Sequence, residues 1–528
     1  MIQIGNIKLS LDSDEKKLYL RAASILKIPP QKIRELKIVK KSVDARDKTD
    51  VHFVFSVELS LSENERDIVA RAKRRDIKLV PAPEKRAFPT PQMPAKRPVV
   101  VGAGPAGLFA ALTLARHGAL PILIERGDSV DERAKKISDF HKNGILDTES
   151  NVQFGEGGAG TFSDGKLNSG THDRRRFEVF STFVSHGAPA EIMYIRNPHI
   201  GSDNLPKVVS GIREEIKKLG GEVYFNTRLT KIHAHGGRLS AISCVSNGKE
   251  LVFETDSVIL AVGHSARDVF LHIRDMGVNI TQKPFSMGVR IEHLQRDIDI
   301  CRYGKFAGHP ALGAADYKLS THLTNGRGVY TFCMCPGGEV INASSEEGGL
   351  VTNGMSLFAR NKDNANSALL VGISPEDFGG DDPLAGVSMQ RKIEKAAFSL
   401  GGGNYRAPAQ TVEGFLTGRK TGFGEVSPSF LPGVSEQNIA ELFPDYISES
   451  LRAGLSSFSS SIRAFSKGDA VLTAPETRSS SPVRILRDEK CVSSLSGLYP
   501  CGEGAGYAGG ILSSAVDGIR VAEAVLEI

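Results

Sequence analysis

The chain has 528 residues, 40% of them hydrophobic and 24% charged, which describes an ordinary soluble protein too long for one core and therefore of two or three domains. No run of 18 apolar residues and no basic-then-apolar leader is present, so no signal peptide, spanning helix or membrane insertion is expected. The six cysteines, Cys244, Cys301, Cys333, Cys335, Cys491 and Cys501, form no CxxC, which excludes zinc-ribbon and ferredoxin-type cluster patterns, so no metal and a reducing, cytoplasmic setting are expected.

Residues 1–80 read as a small α/β domain with a ferredoxin-like layout. Residues 2–11 are a predicted strand. Residues 15–26 are a predicted helix with Leu18, Ala22, Ile25 and Leu26 on one face and Asp12 or Ser13 available as its cap. Pro29 and Pro30 interrupt the chain, residues 36–39 read as a short strand, and Val51, Phe53, Phe55, Val57 and Leu59 alternate along another. A second helix is expected over residues 63–75, and no catalytic constellation falls in this region. Residues 1–97 hold 22 Lys and Arg against 13 Asp and Glu, while the remainder holds 44 against 48. Such a basic module suits an acidic partner protein or nucleic acid, but the interspersed acids favour a solvated, mixed-charge surface. Residues 81–98 contain Pro81, Pro83, Pro89, Pro91, Pro94 and Pro98 and read as an extended linker.

The stretch that follows organises the rest. Val99, Val100 and Val101 lead into Gly102-x-Gly104-x-x-Gly107, and Leu108, Ala111, Leu112 and Ala115 give the next helix its buried stripe up to Gly118. Ile122, Leu123 and Ile124 form a second buried strand ending in Glu125 and Arg126. Gly102 allows the turn, Gly104 lets the backbone approach a pyrophosphate, and Gly107 lets the helix pack on the strand. Pro105 and Ala106 open a helix whose free N–H groups point at phosphates. Glu125, about 20 residues past the glycines, can accept ribose hydroxyls. With no arginine placed for a 2′-phosphate, a phosphorylated ribose is disfavoured.

Residues 130–143 suggest a charged helix. Five glycines within residues 155–165, Gly157 and Gly158 among them, then form with Thr161 a loop able to wrap a cofactor. Arg174, Arg175 and Arg176 read as a solvated charge run. A helix over 205–219, a strand over 222–232 and another over 251–254 precede residues 257–263, a buried strand ending in Gly263. No second GxGxxG accompanies it, so one dinucleotide fold is expected. Residues 280–474 read as an inserted α+β domain, with strands near 285–292, 329–334 and 368–373 and a helix over 390–400. The end of the chain returns to strand, glycine turn and helix, with Gly502, Glu503, Gly510 and Ile511 in the turn and a helix over 512–526.

The first motif with Glu125, residues 258–263 and residues 498–503 resemble the three FAD-binding segments of the glutathione-reductase-type flavoprotein superfamily. The usual Gly-Asp of its third segment is Gly502-Glu503 here, which keeps the carboxylate on a longer arm. Residues 154–165, 288–293, 332–338, 353–356 and 476–484 are similar to a bacterial family of FAD-dependent dehydrogenases, or NAD(P)/FAD-dependent oxidoreductases. The resemblance covers nearly the whole chain. It implies FAD, a Rossmann-like domain built from residues 99–279 and 475–528, and residues 280–474 as a substrate or cap domain. It places the backbone at Leu229 against adenine and Glu503 against the ribityl chain. The helix beginning at Gly510 and Ile511 would then face the flavin pyrimidine.

Catalytic candidates are fewer, because a flavin needs little beyond orientation and electrostatic tuning. In an extended strand Cys333 and Cys335 would share a face and could relay electrons as a dithiol, or simply fill a core as free cysteines commonly do. Arg478 suits a carboxylate substrate or a loop held by ion pairs. Arg484, His264, Arg290, Glu292 and Cys501 are weaker candidates. The leading reading is an FAD-dependent oxidoreductase acting on a small molecule at flavin N5, with NADH or NADPH as a transient reductant. Its competitors are a flavin electron carrier for a redox partner protein and a nucleic-acid-modifying flavoprotein using the basic N-terminal domain.

Overall fold

A computed structural model of the chain describes residues 1–62, 64–81, 89–168, 170 and 172–528. Two compact units emerge. One comprises Met1–Pro89 with Pro189–Pro198 and Asp299–Ala315; the other comprises Thr90–Ala188, His199–Ile298 and Asp316–Ile528.

The first unit is built on an antiparallel sheet in the order Ile33–Asp44, His52–Leu61, Ile2–Ser10, Ile77–Leu79, with helices Lys17–Leu26 and Glu65–Ala72. This is the βαββαβ order of a ferredoxin-like fold. Val51, Phe53, Phe55, Val57 and Leu59 are all buried, as their alternation requires. The strand expected over four residues runs for twelve, Ile33–Asp44, because exposed charges such as Lys37 and Lys40 on this edge mask its alternation. The first helix is not capped by Asp12 or Ser13; the Asp14 carboxylate accepts the Lys16 N–H at 2.8 Å instead. Asn64 caps the second helix, while its expected start at Glu63, and Pro83 with the rest of residues 82–88, lie outside the described residues. The two inserted segments complete this unit. Leu312 joins its core with Tyr303 and Phe306 packed against it, and the Lys41 N–H donates to the Tyr194 carbonyl at 2.8 Å.

The second unit contains a five-stranded parallel sheet in the order Leu498–Pro500, Val258–Leu260, Val99–Val101, Ile122–Ile124, Glu222–Tyr224. The strands have only three residues each, and a parallel sheet so short must be covered on both faces. Helix Pro105–Arg116 is accordingly buried at every position from Ala106 to Ala115 rather than along a stripe, packed between Ile511–Val525 and Leu205–Lys218. The strand expected over 222–232 is two: Asn226, at φ 51°, breaks it into Glu222–Tyr224 of the parallel sheet and Thr227–His235 of a separate antiparallel sheet with Arg238–Ser246 and Lys249–Glu254. A seven-stranded sheet centred on Asn364–Ile373, Phe285–Leu294 and Val471–Glu476 forms the remaining layer. Phe285–Leu294 is buried from Phe285 to His293, so Arg290, Glu292 and His293 are carried into the core, where Arg290 and Glu292 find partners and His293 packs among aromatic rings. Among the described residues no helix is long and apolar enough to cross a membrane.

Candidate functional site

The carboxyl ends of the parallel strands open on one cleft enclosing about 1550 Å³, its mouth included. Crevices of this kind at strand ends are where doubly wound sheets bind ligands. Gly102, Gly104, Pro105 and Ala106 line it from the first turn, Glu125 and Arg126 from the end of the second strand, Gly158 and Gly263 from loops, and Leu229 from strand Thr227–His235. Glu503, Gly510 and Ile511 close it from the C-terminal segment.

Two helices aim their N-termini into this cleft. Pro105–Arg116 starts from Gly104 and Ile511–Val525 from Gly510, and neither has a side-chain cap. Their first N–H groups are therefore free for an acceptor, and the dipoles favour negative charge. A Cβ on Gly158 would come within 3.0 Å of the Gly104 Cα, so the two glycine loops form a backbone cradle that side chains would fill. Buried Glu125 holds the turn together: its Oε2 accepts the Ala103 N–H at 2.7 Å, and its Oε1 accepts those of Gly127 and Gly155 at 3.0 and 2.9 Å. A carboxylate has about four acceptor positions, which leaves one on Oε2 for a ribose hydroxyl. The Arg126 guanidinium is balanced by Asp268 and Glu149 and lies over the Phe154 ring. His264 faces Glu503 at 3.5 Å, and its Nε2 is buried with no hydrogen-bond partner among the described residues. The uncapped helices, the glycine cradle and this orphaned nitrogen fit a dinucleotide of the FAD type.

Four expected contact residues stand one layer behind the cleft wall. A Cβ on Gly107 would lie 1.7 Å from the Gly102 carbonyl, and one on Gly157 would lie 1.9 Å from Thr161 Oγ1. Gly502 donates its N–H to Asp517 at 2.8 Å. Gly107, Gly157, Thr161 and Gly502 thus shape the loops, while their neighbours form the surface.

The opposite wall carries the catalytic candidates. Cys333 and Cys335 both line the cleft, but they do not share a strand face. Strand Gly328–Cys335 is bulged against Asn364–Ile373 between Phe332 and Cys335, and Cys333 takes φ 41°. Cys333 is exposed, whereas Cys335 is buried and donates its S–H to the Cys333 carbonyl at 3.3 Å. Burial pushes the Cys335 thiol up. Cys501 is buried too, its thiol raised by burial, and does not line the cleft. Arg478 also lines the cleft, yet all three of its nitrogens are committed: two donate to Glu394, at 2.9 and 2.8 Å, and the third to Ser265 and Ser345. Arg267 grips the same Glu394 from the other side, and the two guanidinium groups hold its carboxyl below the carboxylate range against the cost of burial. Arg484 bonds the Gly506 carbonyl and lies over Tyr507. Arg290 and Glu292 do not pair with each other: Arg290 is bound to Glu476, and Glu292 accepts from Asn364 and Ser429.

Two positioning residues had no sequence signal. Arg133, fully buried, donates to five carbonyls of the glycine-rich loop, those of Asn151, Val152, Gly155, Glu156 and Gly158, at 2.7–3.4 Å. Burial lowers it to about 10, so it stays charged at neutral pH. Asp517 bridges Gly502 and Arg487, fixing the third glycine loop. Both side chains lie in helices where one more charge is unremarkable. Among the described residues no group of three or more His, Cys, Asp or Glu could hold a metal ion.

Residues 284–479 match the family model described as the C-terminal domain-like region of FAD-dependent proteins, residues 97–138 match an FAD-binding domain, and residues 1–60 match a domain of unknown function. The fold, the cleft and these matches define an FAD-binding protein of the FAD-dependent class. It belongs to the same family as a Clostridium beijerinckii protein described as uncharacterized, 49% identical over 530 residues spanning 100% of this chain and 98% of the relative. Solved structures with similarity include the flavin-dependent brominase Bmp2, at 13% identity and TM-score 0.38 over 82% of this chain and 79% of that one. Another is a geranylgeranyl bacteriochlorophyll reductase-like protein from Thermoplasma acidophilum, at 12% and 0.35 over 83% and 79%. The E. coli quinol fumarate reductase FrdA follows at 12% and 0.34 over 82% and 70%.

Proposed function

We propose that this chain is an oxidoreductase that oxidises or reduces a small molecule between bound FAD and the wall carrying Cys333, Cys335 and Lys166. One observation supports this above the others: two uncapped helix N-termini open on a cleft whose far wall is lined by thiols and buried ion pairs. When bound, FAD supplies hydride transfer at its N5 position. The chain's own residues bind and orient. Glu125 holds a ribose hydroxyl, the N–H groups after Gly104 meet the pyrophosphate, and Leu229 backs the adenine. Glu503 holds the ribityl chain, and the helix end at Gly510 and Ile511 stabilises negative charge at the pyrimidine. Arg478, anchored by Glu394, positions Ser265 and Ser345 directly rather than clamping a carboxylate. With a single dinucleotide fold, NADH or NADPH would dock only transiently.

The test is anaerobic reduction of the FAD-loaded protein by NADH, NADPH and dithionite in turn, then reoxidation by carbonyl, enoate and quinone acceptors. Turnover with a free small molecule is expected. A purified protein without flavin absorbance that takes up no added FAD overturns the reading.

A further inference from the structure

The bulge that carries Cys333 is held from three sides. Arg290, fully buried, makes a two-pronged pair with Glu476 at 2.6 and 2.9 Å and donates to the Cys333 carbonyl at 2.9 Å. The Lys166 ammonium donates to the next carbonyl, that of Met334. Ser356 donates to the Pro336 carbonyl at 2.8 Å. Bulges re-aim side chains, and here the result is a thiol exposed to the cleft while its neighbour Cys335 turns inward.

The charges at this wall do not cancel. Glu476 is neutralised by Arg290, and Asp164 by Arg360 at 3.0 and 2.5 Å. Lys166 lies 3.8 Å from that already engaged Asp164, so one positive charge is left over beside Cys333.

We infer that Cys333 is the proton donor of this site, its thiol completing the reduction of a polarised double bond such as an enone or an imine. The inference rests on the oxidoreductase reading above. On a substrate that has accepted a hydride at one end of the double bond, the Cys333 S–H bond breaks and its proton goes to the other end. The electron pair stays on sulfur, next to Arg290 and Lys166, and the thiolate takes a proton back from water through the mouth of the cleft. The surroundings suit this order of events. Dense packing pushes the thiol up to about 12 even though its surface opens on the cleft, so it rests protonated, while Arg290 and Lys166 pull the other way and hold the anion once formed. A thiol resting protonated is a poor electron relay, because disulfide exchange needs the thiolate.

Two measurements decide it. The first is iodoacetamide labelling of the apoprotein and the FAD-loaded protein from pH 6 to 11, read at each cysteine by peptide mass spectrometry. Cys333 is expected to label slowly below pH 10, and at least tenfold more slowly with FAD bound. Labelling at pH 7 as fast as free cysteine, or no protection in a protein that demonstrably holds FAD, overturns the inference but leaves the oxidoreductase reading standing. Failure to take up FAD overturns that reading instead. The second compares reoxidation of the dithionite-reduced protein by 2-cyclohexenone and by menadione. Cys333→Ala is expected to lower the enone rate relative to the menadione rate by a factor of about 100 or more. An unchanged ratio overturns the proton-donor role, and a wild-type protein that menadione reoxidises but no polarised alkene does overturns the substrate class. Anaerobic dithionite titration should take up two electrons per FAD; four would restore the dithiol relay.

Discussion

Single buried charges carry much of the site. Glu125 accepts three backbone N–H groups from three loops. Glu125→Gln swaps one acceptor oxygen for a donor facing those donors. It should cost about 1–3 kcal/mol in urea unfolding and weaken FAD binding, measured by flavin fluorescence. Unchanged FAD affinity would remove Glu125 from the ribose. Arg133 is a harsher case. Arg133→Met leaves five carbonyls of the glycine loop without their donor, and a loss of about 3–5 kcal/mol is expected, read as a lowered thermal midpoint and absent flavin uptake. His293 adds a pH effect. Packed against Phe465 at 4.6 Å and Tyr317 at 6.0 Å, near the Lys467–Asp297 pair, it is pulled by burial from 6.5 to about 4. Between those values the unfolded chain binds a proton that the folded chain does not. Stability should therefore fall as pH drops from 6.5 towards 4, by about 3 kcal/mol in full. His293→Gln should flatten that acid limb in urea titrations.

At the level of elements, the glycine-lined end of the cleft is shaped by a crossing of two helices. A Cβ on Gly518 of helix Ile511–Val525 would lie 2.1 Å from the Ala106 carbonyl of helix Pro105–Arg116. Both helices open their N-termini on the cleft. Gly518→Ala should force them apart, costing about 1–3 kcal/mol and weakening FAD binding although the residue lines no part of the cleft. A drop in stability with flavin affinity intact would show that the crossing packs the core without positioning the termini. The glycine spacing announced the first helix; nothing near Gly518 announced the second half of the contact, because its partner lies more than 400 residues away in sequence.

At the scale of the molecule, the first unit is discontinuous. Residues 1–80 form its sheet, but Leu312, Tyr303 and Phe306 pack on its core and residues 194–196 bond to Lys41. Residues 1–80 expressed alone should expose that apolar surface. Their urea midpoint should rise on linking back a segment covering 299–315, whereas equal midpoints would mean that the inserted segments merely rest on the sheet. Alternation along residues 51–59 made the strand legible, but its completion by distant segments was not.

The sequence by itself determined the glycine-lined end of the cleft. Gly102, Gly104, Gly107 and Glu125 act through local backbone geometry, and local geometry is written in neighbouring residues. It also determined the strand–turn–helix at the C-terminus and the small N-terminal α/β module. Only the tertiary structure decided the rest. It showed that Gly107 and Thr161 stand behind the wall, and that Arg478 is spent on Glu394. A bulge separates Cys333 from Cys335, where regular alternation would have put them together. Arg290 meets Glu476 across 186 residues. Such pairings arise because a charge carried into a core by one strand must be met by whatever the fold brings beside it, and no local pattern records which residue that is.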